Sequence, residues 1–297
     1  MTAMPSGAPV APDLLPASVR DHLEHAGLSP GAAERLDGGR TNRAYKVAVR
    51  DGPLVVKLFS ADAGTDVFPN SPDDEWRSLA ALAGSGLAPD PVLDGRASPA
   101  PFIAYAHLPG GGFCGDLAEV APLLARLHAA PRPDWLRAIG PLDAHYAAQA
   151  DRLEAALPQA TVTRLRKARP DAPAGAVLPP VFCHGDVTLE NLVGRPGQWR
   201  LIDWQCPAAA EAADDLLTLL SPAMHVLHGS QPPDGDTRDR VLAAYPDRNV
   251  AARVQALAPL AGYRMALYCL WRAEQGARAY RAGAEAEWAA LTGDELQ

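Results

Sequence analysis

Apolar residues follow two different spacings along this chain, and the first is an alternation early in the sequence. Every second position of residues 45–49 is apolar, an Asp-Gly pair follows at 51–52, and residues 54–59 are mostly apolar. Alternation on both sides of a short turn is typical of a β-hairpin. The sequence therefore predicts two antiparallel strands here. Further short strands are predicted at 91–93 and 102–105.

The second spacing, one apolar residue every three to four positions, dominates the later part of the chain. It predicts helices at 117–130, 142–157, 212–227, 236–244, 250–258 and 259–282, in addition to earlier helices at 14–26 and 73–83. Asp73 or Asp74 is expected to cap the helix at 73–83. Residues 158–180 lack a clean period, so we expect them to form a partly helical surface connection.

Predicted strands give way to long helices near residue 106. This change predicts an N-terminal lobe of residues 14–105 and a larger C-terminal lobe of residues 106–297. Residues 1–13 are rich in Pro, Ala and Gly and are expected to form a flexible tail.

Composition and net charge restrict the kind of molecule that the chain is expected to bind. The chain has 297 residues, 48% of them hydrophobic, which supports a well-buried core. Its net charge is −8, from 27 basic and 35 acidic residues, and no run of Lys or Arg occurs. A nucleic-acid surface is therefore not expected, and a cationic small molecule is an easier partner.

The four cysteines suggest neither a zinc site nor a disulfide framework. They form no Cys-x-x-Cys pair and are scattered among apolar neighbours, so we expect reduced and buried thiols. No signal peptide or membrane-spanning stretch is evident, and a cytoplasmic location is expected. Nothing in the sequence indicates the oligomeric state.

Three polar residues at fixed spacing indicate phosphoryl-transfer chemistry. Asp186 and Asn191 lie five positions apart in a loop that follows one apolar strand, and Asp203 ends the next. A carboxylate that accepts the proton of an attacking hydroxyl, an amide oxygen and a second carboxylate form the set needed to orient a nucleophile and hold Mg²⁺ on a triphosphate. We therefore predict Asp186, Asn191 and Asp203 as catalytic residues, with Asn191 and Asp203 as metal ligands.

Lys57 is a charged residue in an otherwise apolar strand. Burying an unpaired ammonium is costly, so Lys57 is expected to have an anionic partner, for which Glu75 in the next helix is suitable. This pair would hold the ammonium toward the phosphates of a nucleotide, and Val55 on the same strand face would lie over the adenine.

Small residues directly before the hairpin suggest a cover for the phosphates. Gly38 and Gly39, followed by Thr41 and Asn42, would allow backbone N–H groups to approach a phosphate closely. His184 opens the catalytic loop and is expected to orient it through hydrogen bonds rather than to act as an acid or base. Asp215 is expected to anchor the same loop from a helix N-terminus, with Asp214 as the competing choice.

These residues together resemble the aminoglycoside phosphotransferase and choline kinase superfamily, relatives of the protein kinases. The resemblance runs through residues 38–42, Lys57, Glu75, residues 105–110, residues 124–128, the His-Gly-Asp loop, Ile202-Asp203-Trp204 and Asp215-Leu216. It implies an α+β, bilobal, protein-kinase-like fold with a small β-rich lobe and a larger helical lobe. It also implies ATP and Mg²⁺ as cofactors, Asp186 as the base, and backbone groups of Ala106 and Leu108 facing the adenine.

Within this superfamily the segment at 38–42 looks most like bacterial choline and thiamine kinases. An amino alcohol such as choline, or a related cation, is therefore the expected hydroxyl acceptor. An aminoglycoside, thiamine, a sugar or a fructosamine remains an alternative, and many relatives have Glu where this chain has Gln205. A non-catalytic nucleotide-binding regulator is the alternative of another class. A protein kinase is disfavoured because no long activation segment follows Asp203.

Aromatic residues of the C-terminal helices are candidates for acceptor binding. Tyr263, Tyr268 and Trp271 follow helical spacing and could present rings to an ammonium group, and Trp204 beside Asp203 is a further candidate. Core packing is the competing interpretation of this stripe. Arg264 and Arg272 would repel a cation if they faced the pocket.

Overall fold

The computed structural model of the chain describes residues 15–36, 41–60, 64–171, 173, 175–294 and 296. Its strands are β1 (Ala33–Leu36), β2 (Arg43–Val47), β3 (Leu54–Leu58), β4 (Pro91–Gly95), β5 (Phe102–Ala106), β6 (Gly111–Gly112), β7 (Arg137–Ala138), β8 (Val181–Cys183), β9 (Leu192–Gly194), β10 (Arg200–Leu201) and β11 (Ala208–Ala210). Its α-helices are α1 (Ala17–His25), α2 (Pro72–Ala81), α3 (Val120–His128), α4 (Leu142–Ala156), α5 (Gln159–Leu165), α6 (Ala213–Leu219), α7 (Pro222–Leu227), α8 (Gly235–Ala244), α9 (Arg248–Glu274) and α10 (Tyr280–Thr292).

Strands β1 to β5 form an antiparallel sheet in the order β1-β2-β3-β5-β4. The predicted hairpin is confirmed, with Tyr45 opposite Val56 in its register. Tyr45, Val47 and Val56 are buried in one cluster with residues of α1. Because side chains alternate between the two faces of a strand, Val55 and Lys57 point to the opposite face. That face borders a cavity.

Helix α2 begins earlier than the sequence suggested. Its N-cap is Ser71, whose Oγ accepts a hydrogen bond from Asp74 N at 3.1 Å, and Pro72 occupies the first helical position. The predicted cap at Asp73 or Asp74 is therefore wrong, because both residues already lie in the first turn. This start brings Glu75 into the fully buried face of the helix.

The C-terminal part is mainly helical, and three predicted boundaries differ from the structure. The predicted helix 212–227 is two helices, because Ser221 caps α7 and Pro222 begins it. The predicted helices at 250–258 and 259–282 are instead α9, a single helix of 27 residues that continues through Pro259, and the separate helix α10. Helix α9 packs against α4, α6 and α10, and Pro259, which removes one backbone hydrogen bond, lies at an exposed position of the helix.

Two small sheets hold the loop that was predicted to be catalytic. Strand β8 lies in the sheet β7-β11-β8 and β9 in the sheet β10-β9-β6, so residues 184–191 connect two sheets. Strand β11 was not predicted from sequence, because its three alanines carry little strand propensity.

All four thiols are free. Cys183, Cys206 and Cys269 are buried as expected, whereas Cys114 is exposed, since it lies just beyond the solvent-exposed β6. None of the described helices combines the length and the apolar character needed to cross a membrane.

Candidate active site

A cavity of about 610 Å³ lies between the sheet and the helical part of the chain. Its lining brings together nine of the residues that the sequence singled out: Thr41, Asn42, Val55, Lys57, Leu108, Asp186, Asn191, Asp203 and Tyr268. Gly38 and Gly39 lie outside the described residues. Ala106 does not line the cavity, and its N–H donates to Asp90 O at 2.9 Å.

Lys57 is buried between two carboxylates. Its Nζ lies 2.5 Å from Glu75 Oε2 and also donates a hydrogen bond to Asp203 Oδ1. Burial alone would lower the pKa of Lys57, but the charges of Asp203 and Glu75 outweigh it and raise this pKa above its ordinary value. The predicted Lys57–Glu75 pair is confirmed, and it fixes the ammonium at the wall of the cavity.

Asp186 and Asn191 hold the two ends of their loop together. Asn191 Nδ2 donates to the backbone oxygen of Asp186 at 2.8 Å. Burial, followed by the charge of Asp203, raises the pKa of Asp186 to about 7. A carboxyl with a pKa near neutrality is suited to accept a proton, because proton transfer is most effective when the pKa is close to the working pH.

His184 orients this loop, as expected. Asp186 N donates to His184 Nδ1 at 3.2 Å, so the ring proton belongs on Nε2, which lies 3.0 Å from Ile202 O as its acceptor. The ring is fully buried and packs edge-on against Trp204, with 4.5 Å between ring centroids. Burial lowers the pKa of His184, which keeps the ring neutral.

Asp215 anchors the same loop, which confirms the sequence interpretation. Its two carboxylate oxygens accept hydrogen bonds from His184 N at 2.9 Å and Gly185 N at 2.8 Å. Asp214, the competing choice, accepts instead from the hydroxyl of Tyr146. Gly185 has a φ of +82°, and a Cβ there would lie 2.2 Å from Cys206 O, so no larger residue fits.

Asn191 and Asp203 present an amide oxygen and a carboxylate at one wall of the cavity. Asn191 uses its amide nitrogen within the loop, which leaves Oδ1 for another partner, and Lys57 occupies only Oδ1 of Asp203. Oxygen atoms of this kind are the ligands that Mg²⁺ prefers. The donor set therefore fits Mg²⁺.

The expected aromatic face differs from the observed one. Trp204 is fully buried and its Nε1 donates to Leu201 O at 3.0 Å, while the hydroxyl of buried Tyr263 donates to Glu154 Oε1 at 2.8 Å. Neither lines the cavity, because both are part of the core. Trp271 packs beside Tyr268, with ring centroids 6.1 Å apart, and does not line the cavity either. Of the four candidates, Tyr268 alone lines it.

Several cavity residues were not predicted from the sequence. Phe68 packs edge-on against Tyr268 at 5.4 Å between centroids, and Arg272 stacks over Tyr280 at 5.1 Å. Arg272 follows Tyr268 by one helical turn and does line the cavity, the position in which it would repel a cation, whereas Arg264 does not line it. Phe68 had no comparable signal, because it comes from a loop. Tyr280 lies within the predicted helix 259–282, but in the structure α9 ends at Glu274 and Tyr280 begins the separate helix α10.

Comparison with known families gives a match over most of the chain. The profile of the Phosphotransferase enzyme family (APH) matches residues 32–257. The chain belongs to this family. It is a small-molecule phosphotransferase with an α+β, protein-kinase-like fold. A search of curated proteins by sequence finds no significant match.

Solved structures with the same fold include kinases for different acceptors. A choline/ethanolamine kinase family protein from Mesorhizobium loti has a TM-score of 0.62 and 18% identity, covering 89% of this chain and 87% of that one. The macrolide 2'-phosphotransferase MphH from Brachybacterium faecium has a TM-score of 0.59 and 20% identity, covering 94% and 99%. A thermostable mutant of aminoglycoside phosphotransferase APH(4)-Ia, in a ternary complex with AMP-PNP and hygromycin B, has a TM-score of 0.64 and 15% identity, covering 93% and 98%.

Proposed function

We propose that this phosphotransferase moves the γ-phosphoryl group of ATP, in the presence of Mg²⁺, to a hydroxyl group of a small molecule. The observation that carries the proposal is the convergence of Lys57, Asp186, Asn191 and Asp203 on one cavity. The complete set of charged groups favours a catalyst over a non-catalytic nucleotide-binding regulator.

Asp186 is the base in this proposal. The acceptor oxygen forms a bond to the γ-phosphorus, the bond from that phosphorus to the bridging oxygen of ADP breaks, and the hydroxyl proton passes to Asp186. The pKa of about 7 suits this role, since the carboxyl is ionised in a large fraction of molecules at neutral pH. His184 and Asp215 act through the loop, which they hold by hydrogen bonds.

Nucleotide binding is assigned to the part of the cavity lined by the sheet. Lys57, held by Glu75, faces the phosphates, and Val55 and Leu108 line the space assigned to the adenine. We assign phosphate contacts to residues 38–42. The adenine contact expected of Ala106 is not assigned, because Ala106 does not line the cavity. Asn191 and Asp203 would hold Mg²⁺, which supplies positive charge against the triphosphate when bound. In this proposal residues 14–105 are the nucleotide lobe and residues 106–297 the catalytic and acceptor lobe.

An amino alcohol is the acceptor that the sequence favours, and a choline/ethanolamine kinase family protein is among the structural neighbours. Of the four aromatic residues predicted to bind a cationic acceptor, only Tyr268 lines the cavity; Trp204, Tyr263 and Trp271 do not. Aminoglycosides, thiamine, sugars and fructosamines remain alternatives. We also propose a cytoplasmic site of action, which the free thiols favour.

The proposal is tested by an ATP-consumption screen across choline, ethanolamine, thiamine, sugars and aminoglycosides, with and without Mg²⁺. We expect Mg²⁺-dependent formation of ADP and of a phosphorylated acceptor with at least one class. Failure to bind ATP in a Mg²⁺-dependent manner would contradict the proposal, as would turnover that survives loss of Asp186.

A further inference from the structure

The end of the cavity away from the nucleotide part contains an arginine whose position the proposed mechanism does not explain. Arg272 lines the cavity one helical turn beyond Tyr268, and its guanidinium carbon lies 5.1 Å from the centroid of the Tyr280 ring. Tyr268 and Tyr280 pack against each other with their ring centroids 6.0 Å apart. The guanidinium is therefore positioned at the cavity wall by an aromatic cluster.

Arg272 differs in its partners from Arg253 and Arg264, the two buried arginines of the same helix. Arg253 pairs with Glu211 at 2.8 Å, and Arg264 donates to Gln149 Oε1 at 2.9 Å. Within the described part of the chain, Arg272 forms neither an ion pair nor a side-chain hydrogen bond. Its buried Nε has no partner, which is also true of Arg253 Nη1 and Arg264 Nε, but those two arginines have partners for their other nitrogens. A guanidinium held without an acceptor for its N–H groups is suited to bind an oxyanion of a ligand.

This arrangement disfavours a simple cation at the same place. A quaternary or primary ammonium would have to approach the Tyr280 ring that the guanidinium of Arg272 already covers, and two like charges would lie close together. The carboxylates of Asp186, Asp203 and Glu190 also face the cavity. Asp203 accepts a hydrogen bond from Lys57, and Glu190 Oε2 lies 2.8 Å from a ring nitrogen of His228. Within the described residues none of these carboxylates forms an ion pair with Arg272, so an anionic group of the ligand is left to complement its charge.

We propose that the acceptor is a hydroxy compound that also carries an oxyanion, in the first instance a carboxylate, and that Arg272 binds this group. The proposal rests on the proposed phosphotransferase function, and it replaces the simple amino alcohol that the sequence favours with an acceptor that carries an oxyanion. Phe68, Met224 and Leu227 line the same part of the cavity and would contact the carbon skeleton between the hydroxyl and the carboxylate. An amino group is compatible with this proposal, but it is not the group that Arg272 recognises.

The test compares acceptor pairs that differ only by a carboxylate. Serine is compared with ethanolamine, glycerate with ethylene glycol, and 3-hydroxybutyrate with 2-propanol, in wild type, Arg272→Gln, Arg272→Lys and Arg278→Gln. Arg278 is exposed and does not line the cavity, so its variant controls for the change in net charge. Melting temperatures of the variants control for folding.

We expect the carboxylate member of at least one pair to have a kcat/KM at least tenfold higher in wild type and in Arg278→Gln. In Arg272→Gln this preference should fall to within about twofold, through a higher KM for the acceptor, while KM for ATP stays unchanged. Arg272→Lys should retain part of the preference, because it keeps the charge but loses the planar pair of donors. Equal use of both members, a preference that survives in Arg272→Gln, or a matching rise in KM for ATP would overturn the proposal.

None of the six compounds is necessarily a substrate, so a binding measurement covers the case in which none is phosphorylated. Calorimetry then measures binding of the three carboxylates to wild type and variants in the presence of MgADP. Binding that is lost in Arg272→Gln and kept in Arg278→Gln supports the proposal, and absence of such binding overturns it. The function itself fails by a different result, namely no Mg²⁺-dependent ATP binding in wild type. Failure of one proposal is thus distinguishable from failure of the other.

Discussion

Asp203 has a backbone conformation that few residues other than glycine adopt. Its φ is +65°, the one positive φ found at a non-glycine position in the described residues. Such a conformation costs about 1–3 kcal/mol and persists where the surroundings impose it. This conformation turns the chain between Ile202 and Trp204. The side chain of Asp203 then accepts a hydrogen bond from Lys57.

This conformation determines how the metal role of Asp203 is best tested. We expect Asp203→Asn to reduce MgATP affinity at least tenfold, because it removes a charged ligand, while ATP affinity without Mg²⁺ changes less. Asn tolerates a left-handed conformation, so the loop is retained. Calorimetry with and without Mg²⁺ measures both affinities, with exposed Asp134→Asn as the control. Equal MgATP affinity in wild type and variant would remove Asp203 from the metal site.

Asp186 is expected to act on the acceptor and not on the nucleotide. Asp186→Asn should lower kcat by about 10²–10⁴ because it removes the proton acceptor, and MgATP affinity should stay within a few-fold. The amide has nearly the same shape as the carboxyl, so the hydrogen bond from Asn191 to the backbone of Asp186 is retained. Steady-state kinetics and nucleotide calorimetry provide the two measurements. A variant that keeps more than a tenth of the wild-type kcat would exclude Asp186 as the base.

At the scale of the elements, the local spacing of apolar residues predicted most helices and strands. It did not predict helix boundaries that depend on contacts between distant parts of the chain. The hairpin of β2 and β3 could be predicted because alternation and an Asp-Gly turn are local signals. Pro259 suggested a helix boundary, yet α9 continues through it because its flanks are buried by α4, α6 and α10. Ser221 and Pro222 begin α7, but this start was not predicted because apolar residues continue with helical spacing from α6 into α7.

Helix α10 stabilises the start of α7 through Glu287. The buried carboxylate of Glu287 accepts hydrogen bonds from Ser221 Oγ and from Ala223 N, the latter at 3.1 Å. Burial raises the pKa of Glu287 from an ordinary 4.5 to about 7, although these donors oppose the shift. The folded state therefore binds a proton more tightly than the unfolded state, and stability falls as pH rises from about 4.5 to 7.

We expect this fall to be on the order of 2–3 kcal/mol between pH 5 and pH 8. Glu287→Gln should lack this contribution, because the amide does not titrate and its oxygen can still accept from Ala223 N. Urea unfolding at pH 5 and pH 8 measures the free energy of unfolding of wild type and variant. Glu285→Gln on the exposed face of α10 is the matched control. The same pH dependence in wild type and Glu287→Gln would show that Glu287 does not contribute.

At the scale of the whole molecule, the sequence predicted the residues of the phosphoryl-transfer site that lie at a fixed spacing in the chain or that need a charged partner. Asp186, Asn191 and Asp203 could be found because they lie close in the chain, and Lys57 because a charge within an apolar strand needs a partner. The part of the cavity around Tyr268 could not be found in the same way. Phe68, Arg272 and Tyr280 come from a loop and two helices, and only the packing of the entire chain brings them to one cavity.

A network of three amides joins the sheet to the helical part. Asn42 Nδ2 lies 2.8 Å from both Asn70 Oδ1 and Gln205 Oε1, and the backbone of Gln205 accepts from Ser71 N at 3.0 Å. Gln205 follows Asp203 by two residues, while Asn42 directly precedes β2. The network therefore connects the strand region to the segment that carries the expected metal ligand.

We expect Gln205→Leu to weaken this connection, because it removes the acceptor of a buried amide at a cost of about 1–3 kcal/mol. Hydrogen exchange of the backbone amides in residues 64–71 should accelerate, and the free energy of unfolding should decrease by a similar amount. Gln205→Glu keeps an oxygen that can accept from Asn42, so its hydrogen exchange should stay near wild type. Equal protection of residues 64–71 in wild type and Gln205→Leu would mean that the backbone bond from Ser71 suffices to hold the two parts together.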